Sequence, residues 1–162
     1  MKQDDTRNGA GEAPRAGRQA AGEEDYDFSD QVGHLLRRAN QRHVALFQQL
    51  IPDSQLTVAQ FVALCAVRDQ GSCSMSDIVK ATVIDQATVR GVVERLRTRG
   101  LIDVQHDRND RRKVLIFLTE AGRELVEQMV PFAKVITENT FGSLNPGERV
   151  ALVYLLRKMC DC

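Results

Sequence analysis

Four cations crowd one short stretch, His106-Asp107-Arg108-Asn109-Asp110-Arg111-Arg112-Lys113. On either side of it, apolar residues fall at every second position: Ile102 and Val104 before it, Val114, Ile116 and Leu118 after it. A period of two on both sides of a polar tip predicts a β-hairpin. A guanidinium carried on a narrow turn suits the minor groove of duplex DNA, where the negative potential is strong over A·T tracts. Flanking cations suit the phosphates. Asp110 stands two residues before Arg112 and can brace that guanidinium through a two-pronged ion pair. Taken alone, the same residues would also serve as an ordinary hydrophilic turn.

A second candidate lies upstream, from Asp85 to Arg99. Val89, Val92, Val93 and Leu96 follow i, i+3, i+4, i+7 and must face a core. That leaves Gln86, Ala87, Thr88 and Arg90 near the exposed amino end of the helix. Glutamine suits adenine, arginine suits guanine, and alanine or a threonine methyl suits the thymine methyl group. The positive end of the helix dipole also favours phosphate there. An amphipathic helix with a solvated basic face shows the same period, so the wing-like hairpin is what tilts the reading towards nucleic acid. Net charge over the whole chain is zero, yet from Gln86 to Lys113 there are eight basic residues against four acidic ones. Such segregation suits one phosphate-facing surface.

Other chemistry is sparse. No Gly-rich phosphate loop, Ser/His/Asp arrangement or metal motif is present, so an enzyme is not expected, nor a cofactor. Three scattered histidines and a terminal Cys160-x-Cys162 offer too few ligands for a closed zinc site. Cys65 falls on the core side of its helix, and Cys73 is placed in a turn. No apolar run approaches the ~20 residues of a membrane span, and the N-terminus lacks the apolar core of a signal peptide. A cytoplasmic protein without a membrane partner is expected.

The elements that must position these residues follow from period and capping. Residues 1–26, rich in Gly, Ala and charge, are expected to be a disordered arm, and 27–162 a single domain. Phe28, Val32, Leu35, Leu36, Ala39, Val44, Phe47 and Leu50 predict one long amphipathic helix closed by Pro52. Thr57 with Gln60 forms a capping box, flanked by Leu56 and Phe61 as a staple. That helix ends at Gly71; a short one is capped by Ser74 with Asp77, and the next runs from Asp85 to Gly100. After the hairpin, Thr119 caps a helix containing Pro131, which should kink it. Asn145-Pro146-Gly147-Glu148 starts the last helix. The expected fold is therefore mainly α with a small β-hairpin wing. It is a winged helix-turn-helix (55–118) flanked by N- and C-terminal dimerisation helices (27–52 and 119–162). The outer helices bear more apolar surface than so small a unit needs, and a second copy is the simplest cover.

The run GLIDVQHDRNDRRKVLIFLTEAG, with LTVAQFVAL and IDQATVRGVVERLRTRG before it, resembles the multiple antibiotic resistance regulator (MarR) family. That family's hairpin reads Asp-x-x-Asp-x-Arg, then an apolar strand and Leu-Thr-x-x-Gly; here these are Asp107, Asp110, Arg112, Leu118, Thr119 and Gly122. The usual arginine of the first wing strand is Val104 here. The resemblance implies a homodimeric repressor on a pseudopalindromic operator, with half-site centres about one helical turn apart. It places Arg112 in the minor groove with Arg108, Arg111 and Lys113 around it, Asp110 as support, and Gln86, Thr88 and Arg90 in the major groove. It also implies a small aromatic anionic effector, such as a benzoate-like or hydroxypyridine-carboxylate catabolite. His34, Arg37, Arg38 and His43 on the first helix are candidate anchors for its carboxylate. His34 and His43 lie about 180° apart by period and need not share a pocket. A thiol-based redox sensor using Cys160, Cys162 or Cys73 is the alternative. The peroxide-sensing branch of the family carries its cysteine near the start of the first helix, where this chain has none.

Overall fold

Local capping chemistry sets the element boundaries in the computed structural model, which describes residues 26–107, 110 and 113–160. Residues 1–25 of the expected arm, Arg108, Arg111, Arg112 and Cys162 lie outside the described residues. The long first helix begins later than the apolar spacing suggests. Phe28–Asp30 is a separate 3-10 turn, capped by the Asp27 carboxylate, which accepts from Ser29 N at 2.8 Å. Gln31 is extended and separates that turn from α1, Val32–Leu50. α1 stops at Ile51, held extended at ψ 129 because a residue preceding proline is barred from the helical region.

Thr57 and Gln60 form both halves of a capping box at the start of α2, Val58–Gln70. Gln60 is only 2% exposed, and its amide oxygen is used by Thr57 N at 2.9 Å, so a buried polar side chain is satisfied locally. Gly71, at φ +74, ends α2. Ser74 and Asp77 cap α3, Met75–Thr82, through a second box. Asp85 caps α4, Gln86–Thr98. Val89, Val92, Val93 and Leu96 of α4 are all buried, as their spacing requires.

The wing is a three-stranded antiparallel sheet, not a bare hairpin. β2, Ile102–His106, pairs with β3, Val114–Leu118, in the register Ile102 to Leu118, Val104 to Ile116 and His106 to Val114. A two-residue strand β1, Cys73–Ser74, adds to the far side of β3, giving the order β1-β3-β2. Two residues are too few to show a period, which is why the sequence gives no hint of β1. Only the root of the wing is in the core: Ile102, Ile116 and Leu118 are buried, whereas Val104 and Val114 are partly solvated.

Thr119 caps α5, Glu120–Phe141, accepting from Gly122 N at 3.1 Å. Pro131 lies inside α5 and has no N–H to offer the Glu127 carbonyl. Asn145 and Glu148 reciprocally cap α6, Pro146–Cys160. α1 packs along α5, while α2, α3, α4 and the sheet form the other lobe. α6 buries none of its described residues, leaving Val150, Tyr154, Leu155 and Met159 exposed. No described helix is long and apolar enough to cross a membrane.

Candidate nucleic-acid interface

The amino end of α4 is built to be rigid and bare. The Asp85 carboxylate accepts from Thr88 N at 2.9 Å and from the Thr88 hydroxyl at 2.6 Å. Those bonds, the hydroxyl's first, hold the Asp85 carboxyl below the ordinary carboxylate range. The Thr88 hydroxyl hydrogen is thus spent within the cap, while Thr88 as a whole remains exposed. Gln86, Ala87 and Arg90 are exposed and together line an open recess. The first turn of α4 is thereby left exposed, as a helix that lies in a major groove against base edges requires, with its valine face anchored below.

The described part of the wing tip is closed by backbone. Asp107 N donates to Lys113 O at 2.9 Å, Lys113 N donates to Asp110 O at 2.8 Å, and Asp110 N donates to the Asp107 carboxylate at 3.2 Å. Lys113 is exposed at the base of this turn. It also lies close enough to Asp77, at the start of α3, to help lower that carboxyl; the larger causes there are the Ser74 hydroxyl and backbone bonds. The pairing of Asp110 with Arg112 falls partly outside the described residues.

The candidate ligand anchors on α1 do not come together. His34 is half-buried against Phe28, with ring centroids 4.5 Å apart. Arg38 is exposed. His43, about 13 Å further along the helix by rise, has Nδ1 3.0 Å from Thr140 Oγ1. The Thr140 hydroxyl spends its one hydrogen on Ile136 O at 2.7 Å, so His43 Nδ1 is the donor in this pair. Neighbouring Arg42, which the sequence did not single out, donates to Asn139 O at 3.1 Å and so caps the carboxyl end of α5. Nothing local in the sequence signals this contact across 97 residues.

The cysteines need correction. Cys73 is not in an open turn: it is fully buried in β1, and burial pushes its thiol up. Burial does the same to Cys65. Neither has the exposed, thiolate-favouring surroundings of a redox sensor. Cys160 is exposed at the end of α6. Among the described residues there is no His/Cys/Asp/Glu cluster that could hold a metal.

Comparison with known proteins agrees with this geometry. The MarR family profile matches residues 56–114, from the α2 staple to the start of β3. The HTH-type transcriptional repressor NicR of Pseudomonas putida is 57% identical over 136 residues, covering 84% of this chain and 86% of that one. The structure of Bordetella bronchiseptica BpsR, whose DNA binding is regulated by 6-hydroxynicotinic acid, superposes with a TM-score of 0.80 at 71% identity. It covers 85% of this chain and 98% of BpsR. A variant of Escherichia coli MarR complexed with operator DNA superposes with a TM-score of 0.75 at 25% identity, covering 83% and 99%. With a relative this close over this much of both chains, the chain belongs to the MarR family and is a DNA-binding transcriptional regulator, not an enzyme.

Proposed function

We propose that the protein is a cytoplasmic, homodimeric repressor released from a pseudopalindromic operator by 6-hydroxynicotinic acid or a closely related hydroxypyridine carboxylate. The observation that carries this reading is the 71% identity to BpsR over almost the whole of that chain. It also fits the aromatic carboxylate that the family resemblance implies. Dimerisation through α1, α5 and α6 is supported by the apolar residues those helices leave exposed, among them Val32, Leu35, Val135, Val150, Tyr154 and Met159. Each copy offers one half-site reader: Gln86, Thr88 and Arg90 to base edges, and Arg108, Arg111, Arg112 and Lys113 to the minor groove and phosphates, with Asp110 orienting Arg112. Of the proposed anchors for the effector's carboxylate or ring, His34 and Arg38 lie one turn apart on α1, while His43 lies too far along the helix to meet the same small molecule within one protomer. The effector can act only by favouring a separation of the two reading helices that does not match the half-sites, about 10 bp apart.

Fluorescence anisotropy on an operator duplex selected from a random pool tests this. Tight binding at moderate salt that weakens at least about ten-fold with 6-hydroxynicotinic acid, and not with nicotinic acid, is the expected result. Binding that ignores the hydroxypyridine carboxylate while responding to peroxide would overturn the effector reading.

A further inference from the structure

α4 rests on its neighbours through four aliphatic side chains, and apolar contacts are non-directional. Something else must fix how the helix is aimed. Its carboxyl end is held from two sides. On one side Thr119 N donates to Leu101 O at 3.1 Å and the Thr119 hydroxyl to Gly100 O at 2.7 Å, tying the turn after α4 to the start of α5. On the other, Arg99, the C-cap of α4, forms an ion pair through Nη2 with Asp53, two residues beyond the C-cap of α1 and 46 residues away in sequence. Asp53 is itself preset: its other carboxylate oxygen accepts from Gln55 N at 3.0 Å, and its carbonyl accepts from Leu56 N at 2.9 Å.

The pair is poorly arranged as a stabiliser. The two side chains are 24% and 20% exposed, and Arg99 Nη1 is sealed from solvent with no hydrogen-bond partner among the described residues. An unmatched buried donor offsets much of what an ion pair contributes. What the contact does supply is direction. α4 is 13 residues, about 20 Å long, so a turn of about 5° at its held end moves the base-reading end by roughly 2 Å, over half a base-pair step.

We propose that the Asp53–Arg99 pair is the clasp that aims α4 relative to the dimer-forming helix α1, making both residues positioning residues for half-site spacing. The inference rests on the homodimer reading above. Its test is the full-length protein's affinity for the selected operator and for versions with one base pair added or removed between half-sites. Wild type is expected to prefer the native spacing by about ten-fold or more. Asp53→Asn and Arg99→Gln should each cut that preference to about three-fold or less, and Arg99→Lys, which keeps the paired charge and removes the orphaned donor, should retain most of it. Melting temperature is followed in parallel, since a merely structural pair would lower it and leave the spacing ratio alone. Wild-type spacing preference retained in Asp53→Asn and Arg99→Gln overturns the clasp. Absence of any spacing preference in wild type takes down the dimer reading and the clasp with it.

Discussion

A methyl group at Gly122 would stand 2.0 Å from Leu101 O, 3.0 Å from Leu101 C and 3.4 Å from Leu118 Cδ2. A carbon and a carbonyl oxygen settle no closer than about 3.3 Å, so Gly122→Ala must drive the two backbones apart by about 1.3 Å. Both surfaces are backbone and cannot swing aside. The separation strains the hydrogen bond from Thr119 N to Leu101 O, which joins α5 to the reading lobe, and the Thr119 cap on Gly122 N, which starts α5 itself. Overpacking costs about 1–3 kcal/mol, the cap about 1 and the hydrogen bond about 1. Alanine's better helix propensity returns about 1 kcal/mol. The net loss should be about 3 kcal/mol. Urea unfolding at fixed protomer concentration measures it, because dimer stability depends on concentration. Gly91→Ala, whose methyl would meet only the Arg95 guanidinium, Nη2 at 3.7 Å and Nη1 at 3.9 Å, is the control and should gain about 1 kcal/mol. A Gly122→Ala protein as stable as wild type, beside a Gly91→Ala protein that gains as expected, would refute the close-approach argument.

Val83 holds φ +54 in the turn between α3 and α4 and is 92% exposed, so Val83→Gly relieves left-handed strain and loses no burial. It should raise the urea midpoint by the equivalent of about 1 kcal/mol. The capping carboxyls of Asp77 and Asp85 are held below their ordinary value of 3.8, so the stability they add is complete above that pH. It should fade as pH drops through their lower folded values, seen as melting temperature falling in acid and flattened in Asp85→Asn. In a Cys160→Ser, Cys162→Ser background, Cys65 and Cys73 should react with a thiol reagent slowly when folded and fully in urea, and fast labelling of Cys73 would contradict its burial. Arg112→Ala should weaken operator binding strongly while leaving dimer and melting temperature near wild type, and undiminished affinity would remove Arg112 from the minor groove.

What the sequence revealed and what it hid divide along range. Thr57, Ser74, Asp85, Thr119 and Asn145 each cap the helix they precede, because capping is decided within four residues. The buried face of α4 was equally plain, since four apolar residues at one period leave no choice of side. Phe28 kept the period but not the helix, because the Asp27 cap starts a separate turn and extended Gln31 ends it before α1. β1 was invisible: its pairing with Ile116 and Leu115 is created by a strand some 40 residues later. The Asp53–Arg99 and Arg42–Asn139 contacts were hidden for the same reason, and they determine how the reading lobe and the long helices are held.

The most direct test concerns Arg90 at the exposed end of α4. Wild type and Arg90→Ala are titrated against the operator and against duplexes carrying a single base change at each half-site position. Base readout predicts a loss of about 1–3 kcal/mol on the operator that vanishes on the one duplex already lacking Arg90's base. An equal loss on every duplex would mean that α4 touches only phosphate and that the bases are read elsewhere.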